Sequence, residues 1–349
     1  MSFIAQFSQI QSELQRRGID AYDMRDESHL ELVFVAPSGI DREDGSARRN
    51  PPITWLEDEP FRPRPIRTPS TASPIRFFLD GSQRTLRAFY CDNVPVITGI
   101  VGAAIMERDE RGEPRVVPGM LTFKHVWVIP LQSDLPGLNQ LIDVIRSHGG
   151  EIVDPLDEIE PERYGHELLE FGGVMERGFK RVGRVRQQVE AQLLERWCAQ
   201  HGAGNGLVLV DGPLRSVAPC AIGLVKSFTR QYLTGEASTA LFRLKHGERS
   251  AAFSVADGWR DGTRVNAWYQ RHWDATGRDP RHALIRLEMS TDWHGQPTVD
   301  DVAGWVMRER IPSAKADARW ATLLYPVHYL EEILKRHIDA QTRGWTTRR

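Results

Sequence analysis

The sequence predicts a mixed α/β or α+β fold, one sheet of mixed strand direction flanked by helices, and three observations predict it. Strand patterns succeed one another between residues 75 and 105, a long helical period runs from Glu162 to Gln200, and a short, wholly apolar strand, Leu207 to Val210, follows it. Alternating runs of strands and helices of this kind build a layered sheet rather than a bundle or a sandwich. At 349 residues the chain is long enough for one large domain with insertions or for two domains. Its 40% hydrophobic and 26% charged content excludes disorder along the whole chain.

The opening text, MSFIAQFSQIQSELQRRG, has helical spacing and lacks the basic and apolar regions of a signal peptide. Leu30 to Val35 reads as a strand. Residues 36–74 are dense in Pro, Arg, Asp and Ser without a sustained apolar period, which predicts a long loop or flexible arm. Residues 1–74 are therefore set apart from a domain at 75–349, in which about 107–160 reads as an insertion. Ile75 to Leu79, Leu86 to Tyr90 and Val94 to Ile105 are expected as successive strands, separated by turns at DGSQR and CDN. The apolar run Val94 to Met106 is broken by Thr98 and Gly99 and is shorter than the roughly 18 residues that would cross a bilayer.

Arg115 to Leu131 reads as further strands or as part of the insertion, and Leu138 to Ser147 as a short helix stopped by Gly149 and Gly150. The long helix closes at His201 and Gly202. After Leu207 to Val210 come the turn Asp211-Gly212-Pro213-Leu214 and the strand Ala221 to Val225. Ser250 to Val255, Val265 to Arg271 and Ala283 to Met289 alternate as strands, and Val299 to Arg308 and Leu330 to Ala340 are amphipathic helices.

Charge and cysteine content bound the function. Lys+Arg 45 against Asp+Glu 47 leaves a net charge of -2, so any nucleic-acid contact must be a local patch. Cys91, Cys198 and Cys220 lack CxxC or CxxH spacing, which argues against a zinc knuckle and a disulfide framework and fits a reducing cytoplasm.

Two similar texts carry most of the chemistry: IRFFLDGSQR around Asp80 and GLVLVDGPLR around Asp211. Each puts an aspartate at the end of an apolar strand with glycine next, so that the carboxylate stands at the sheet's edge. Asp-Gly is a common turn dipeptide, and a single instance would be read as a turn; two matched instances can share a cation. Hard oxygen ligands suit Mg²⁺ or Mn²⁺, and a metal pair can stabilise the attacking and leaving oxygens of a phosphodiester displacement. Glu190, one turn before Leu193, Leu194 and Trp197, borders the apolar face of the long helix and offers a third carboxylate; Glu195 is the second choice. Lys226, after the apolar strand AIGLV, could neutralise a phosphate, and Arg84 follows the first DG closely enough to reach a backbone. Arg177, Lys180, Arg181, Arg184 and Arg186 form a basic stripe that would track a phosphate backbone, bind a partner or simply be solvated. Glu288 reads either as a buried functional residue or as an ion-pair partner of Arg286. Trp259, Trp268, Tyr269 and Trp273 could stack bases, with core packing the competing role.

The order strand, strand, strand, long helix, buried strand resembles a ribonuclease H-like core. DGSQR after a strand, VDGPL followed by IGLVKS, the Trp-Tyr-x-Arg text at Trp268 to Arg271, IRLE at Glu288 and YPVHYLEE near the end together resemble the NurA family from about residue 75 onward. That resemblance implies a dimeric, manganese- or magnesium-dependent DNA nuclease working with a HerA-type hexameric ATPase in DNA end processing or phage defence. It implies Asp80, Glu190 and Asp211 as metal ligands. It also implies a C-terminal tyrosine and a histidine or acidic residue, which fall on Tyr325 and His328, with Glu332 as the alternative to His328.

Overall fold

The computed structural model describes residues 3–23, 51–69, 71–109, 111–202, 204, 206–215, 218–226, 231–256, 264–291, 297–310, 321–322, 324–343 and 345. The strand expected at Leu30 to Val35 and the side chain of Trp259 lie outside them. Along the chain come helix α1 (Phe3–Arg17) and strands β1 (Ala21–Asp23), β2 (Ile53–Trp55), β3 (Arg64–Pro65), β4 (Ile75–Cys91), β5 (Val94–Arg108) and β6 (Pro114–Val128). Next are α2 (Pro136–Ser147), β7 (Ile152–Val153), α3 (Pro161–Leu168), α4 (Phe171–His201), β8 (Leu207–Asp211), β9 (Ala221–Val225) and α5 (Gly235–Phe242). The last third holds β10 (Glu248–Arg249), β11 (Phe253–Ala256), β12 (Arg264–Arg271), β13 (Leu284–Ser290), α6 (Val299–Arg308) and α7 (Tyr325–Thr342).

The described strands make a single mixed sheet ordered β2-β11-β12-β13-β9-β8-β4-β5-β6-β7, with β1 on β4 and β10 linking β12 to β3. At its centre β4, β5 and β6 form an antiparallel meander; α4 then returns the chain to β8, which lies parallel to β4, and β9 lies parallel to β8. The mixed α/β expectation is met at this level.

Three expectations about the strands change. DGSQR is not a turn, because β4 runs unbroken through it and Gly81 pairs with Ala103 in the ladder. The turn is at CDN, where Asp92 (φ 50°) and Asn93 (φ 62°) take the two left-handed positions of a two-residue hairpin between Cys91 and Val94. β6, inside the stretch read as an insertion, pairs with β5 along most of its length. The arm is also not free over its described part: β2 pairs with β11, and Glu57 accepts two 2.8 Å hydrogen bonds from Arg249, a residue only 2% exposed.

The core explains the layering. Val182, Val185, Val189, Leu193 and Trp197 of α4 pack on one sheet face with Leu79, Val101, Val208 and Val210. Val302 and Val306 of α6 and Val327, Leu330 and Leu334 of α7 pack on the other with Phe78, Leu209, Ile222 and Leu224. Burying each such side chain contributes roughly 1.5–3 kcal/mol. Cys198 and Cys220, expected to stay unpaired, form a disulfide that joins the end of α4 to the start of β9; the cysteines therefore no longer argue for a reducing compartment. Among the described residues no helix is long and apolar enough to cross a membrane.

Candidate active site

The matched texts become neighbours because β4 and β8 pair in parallel with Leu79 opposite Val210, so the next rung sets Asp80 beside Asp211. Leu79 and Val210 belong to the core under α4. Successive side chains alternate, and both aspartates therefore face the α7 side. β8 ends at Asp211, and Gly212 (φ 124°) turns the chain away, its N–H donating to the Leu224 carbonyl at 2.8 Å.

Asp80 is 4% exposed. Its Oδ1 accepts from the Gly81 N–H at 2.7 Å, while its buried Oδ2 has no hydrogen-bond partner among the described residues. Burial first, then the charges of Asp211 and Glu190, push its carboxyl well above the usual range, against the opposing pull of Lys226. Glu190 reaches the same edge from α4. A Cβ on Gly81 would lie 2.0 Å from Glu190 Oε1, so the glycine serves a close approach and not a turn. Burial, and after it Asp211, raises the Glu190 carboxyl, while Arg186 and Arg215 oppose the shift. Arg186 donates to Glu190 Oε1 and, at 3.2 Å, to Gln83 Oε1.

Lys226, at the end of β9, places Nζ 2.6 Å from Asp211 Oδ2. Burial alone would lower the ammonium's pKa, but Asp211 and Asp80 outweigh it and the pKa is raised. A cleft of about 270 Å³ is lined by Asp80, Asp211, Lys226, Arg186 and, from α7, Glu331. On the α4 side of Asp211 lies a second cleft of about 80 Å³, lined by Arg186, Glu190, Asp211 and Arg215 over an apolar floor. Glu288 is fully buried and holds the loop between the clefts: its Oε2 accepts from the Leu214 N–H at 2.9 Å and its Oε1 from Arg286 Nε at 3.0 Å.

Glu331 is the residue that sequence reasoning missed. It lies one turn after Val327 and three residues before Leu334, both buried, and so borders the apolar face of α7, the same signal that singled out Glu190. Burial would raise its carboxyl, but Lys335, Lys226 and His328 hold it below the ordinary value. His328 lines neither cleft and stands with Nδ1 3.9 Å from Glu331 Oε2. Glu332 lines neither, and Tyr325, 59% exposed at the start of α7, is likewise outside both. Glu195 is exposed on α4.

The expected phosphate-binding arginines are otherwise engaged. Arg84 donates to Asp339 at 3.0 Å and to Thr342 at 2.8 Å, tying β4 to α7. Arg181 pairs with Asp157 at 2.6 Å, Arg184 with Glu158 and Arg177 with Glu167, so the basic stripe of α4 is matched by acids around α3. Trp268 and Tyr269 are fully buried, and Trp273 stacks with His246 beneath Arg310.

Asp80, expected at the end of its strand, lies inside β4 instead, and only Asp211 ends its strand; Asp80, Asp211 and Glu190 could hold a divalent cation where β8 stops beside β4. Among the described residues no three His, Cys, Asp or Glu side chains already stand in a ligand cluster; Lys226 and Arg186 hold Asp211 and Glu190 instead. Compared with known proteins, the chain matches no protein-family model and no curated protein sequence.

Proposed function

We propose that this chain is a metal-dependent nuclease of the NurA type that hydrolyses DNA phosphodiester bonds on a ribonuclease H-like core. The observation that carries the reading is Asp80 Oδ2, a buried carboxylate oxygen without a hydrogen-bond partner among the described residues, set beside Asp211 on the rim of a polar cleft and near enough to Glu190 to feel its charge. The antiparallel meander β4-β5-β6, the return through α4 and the parallel placing of β8 beside β4 support the ribonuclease H-like part.

The donor chemistry fits Mn²⁺ or Mg²⁺, which take carboxylate oxygens. Such an ion would supply positive charge for the attacking and leaving oxygens. The chain's own residues do the rest. Asp80, whose raised carboxyl resists bearing an uncompensated charge, is the anchor. Lys226, at the end of β9 and 2.6 Å from Asp211 on the lining of the same cleft, is placed to neutralise the phosphate. Glu331 closes the opposite wall. The same reading has the protein acting as a homodimer with a HerA-type hexameric ATPase on DNA ends or in phage defence.

The test is Mn²⁺-dependent cleavage of labelled single- and double-stranded DNA, with and without such an ATPase. Asp80→Ala and Asp211→Ala should each slow cleavage on the order of 10²-fold or more, as expected for losing several kcal/mol of charge stabilisation. Undiminished activity in both variants rules the site out. One observation favours a second reading: Lys226 and Arg186 neutralise two of the three carboxylates without any metal. A DNA-binding scaffold docked on the ATPase ring would then bind DNA yet degrade none with either ion.

A further inference from the structure

The second cleft sets Glu190 and Asp211 beside a basic residue that the chemistry above does not use, Arg215. It opens on the α4 side of Asp211, shares Arg186, Asp211, Gly212 and Pro213 with the first cleft, and adds Arg215. Its floor is apolar, from Ala191, Leu194, Val210 and Leu214. Arg186 borders both clefts, and Arg215 is close enough to Glu190 to pull its carboxyl downward. Two guanidinium groups, one from α4 and one from the loop after β8, lining a small depression next to a strand-cutting centre suit a tetrahedral dianion or diester, which arginine can meet with paired donors.

We infer that this cleft is the subsite for the phosphodiester adjoining the scissile one on the same DNA strand, held by Arg186 and Arg215. The inference rests on the nuclease reading for the word scissile, and on the clefts alone for the binding. Arg186 is committed to Glu190 at rest. A cation taken up by Glu190 would free that guanidinium to turn to the strand, so cation and DNA should bind more tightly together than apart. Arg186 and Arg215 are positioning residues here: they hold the strand in register and take no part in bond breaking.

The experiment uses the full-length protein and a fluorescein-labelled oligothymidylate in EDTA, where no cutting occurs, with affinity read by anisotropy over a series of KCl concentrations. For each phosphate of a single strand that the protein ceases to neutralise, the slope of log affinity against log salt becomes shallower by about 0.7. Arg215→Gln should flatten the slope by that amount in EDTA; Arg186→Gln should do so only when CaCl2 replaces EDTA and a cation engages Glu190, with Arg186→Lys restoring most of it; and Lys124→Gln, whose lysine is paired with Glu151 elsewhere on the sheet, should leave it unchanged. In Mn²⁺, Arg215→Gln should raise KM with little change in kcat. Unchanged slopes in both glutamine variants, with native circular dichroism, overturn the subsite. Should Arg186→Gln fail to fold, Arg215→Gln decides alone, since Arg215 lies outside any helix or strand. Flattened slopes in the variants of a protein that never cuts would leave the subsite standing and remove the nuclease reading; cutting with unchanged slopes would do the reverse.

Discussion

A missing side chain shapes the candidate site at the scale of the residue. Gly81 stands inside a continuous strand, where glycine weakens the ladder, and it is there because the Glu190 carboxylate occupies the space its Cβ would need. Gly81→Ala should therefore displace Glu190 and break its contact with Arg186 while β4 persists, at about 1–3 kcal/mol by denaturant unfolding, as overpacking does. Wild-type stability together with an unchanged Mn²⁺ affinity would refute that role. The aspartates were legible because an apolar strand followed by Asp is a strong local pattern. The reason for the glycine was not, since it depends on a helix that lies more than a hundred residues further on. Glu331 was legible in principle from the stripe of α7, whereas His328 and Glu332 rested on the resemblance alone, and only the packed helix shows which flank borders the cleft.

Elements carry these residues into place, and long periodic ones were the readable ones. β8, β9, β12, β13 and α6 fall where the apolar period puts them, because their signals are local, whereas the single helical period read from Glu162 to Gln200 is two helices, α3 and α4, parted at Leu169 and Glu170. β2, β3 and β10 are two- or three-residue strands that exist only through partners distant in the chain, and no window of sequence could show them. β13 has a further task. Its Glu288 ties the Asp211 loop through the Leu214 N–H and holds the buried guanidinium of Arg286, which also stacks on Tyr232 at 4.5 Å. Glu288→Ala should remove the carboxylate partner of Arg286 and leave the Leu214 donor unsatisfied, at about 3–5 kcal/mol in chemical denaturation. A loss under about 1 kcal/mol, by the same arithmetic, would mean that the loop is held by other contacts.

For the whole molecule, the site couples stability to pH. Asp80 and Glu190 have carboxyl pKa values raised by folding. While both folded and unfolded chains are protonated this costs nothing. Above the ordinary carboxylate pKa of about 4 the unfolded chain ionises and the native one resists, so these groups' contribution falls as pH rises towards their native values. Scanning calorimetry in EDTA should show Asp80→Asn losing less Tm than wild type over that rise, and Mn²⁺ should narrow the gap by compensating the charge; parallel curves with and without the metal would contradict it. Synthesis meets a different demand at the far edge of the same sheet. Glu57 and its Arg249 partner are 192 residues apart, and among the described residues β2 pairs with β11. At about 5–20 residues per second the ribosome takes roughly 10–40 s to make that span. The β2–β11 pairing and the Glu57–Arg249 contact therefore close only after that interval. The charged text around Glu57, Asp58 and Glu59 is suited to such a wait, because a nascent strand edge bearing like charges resists pairing with another chain.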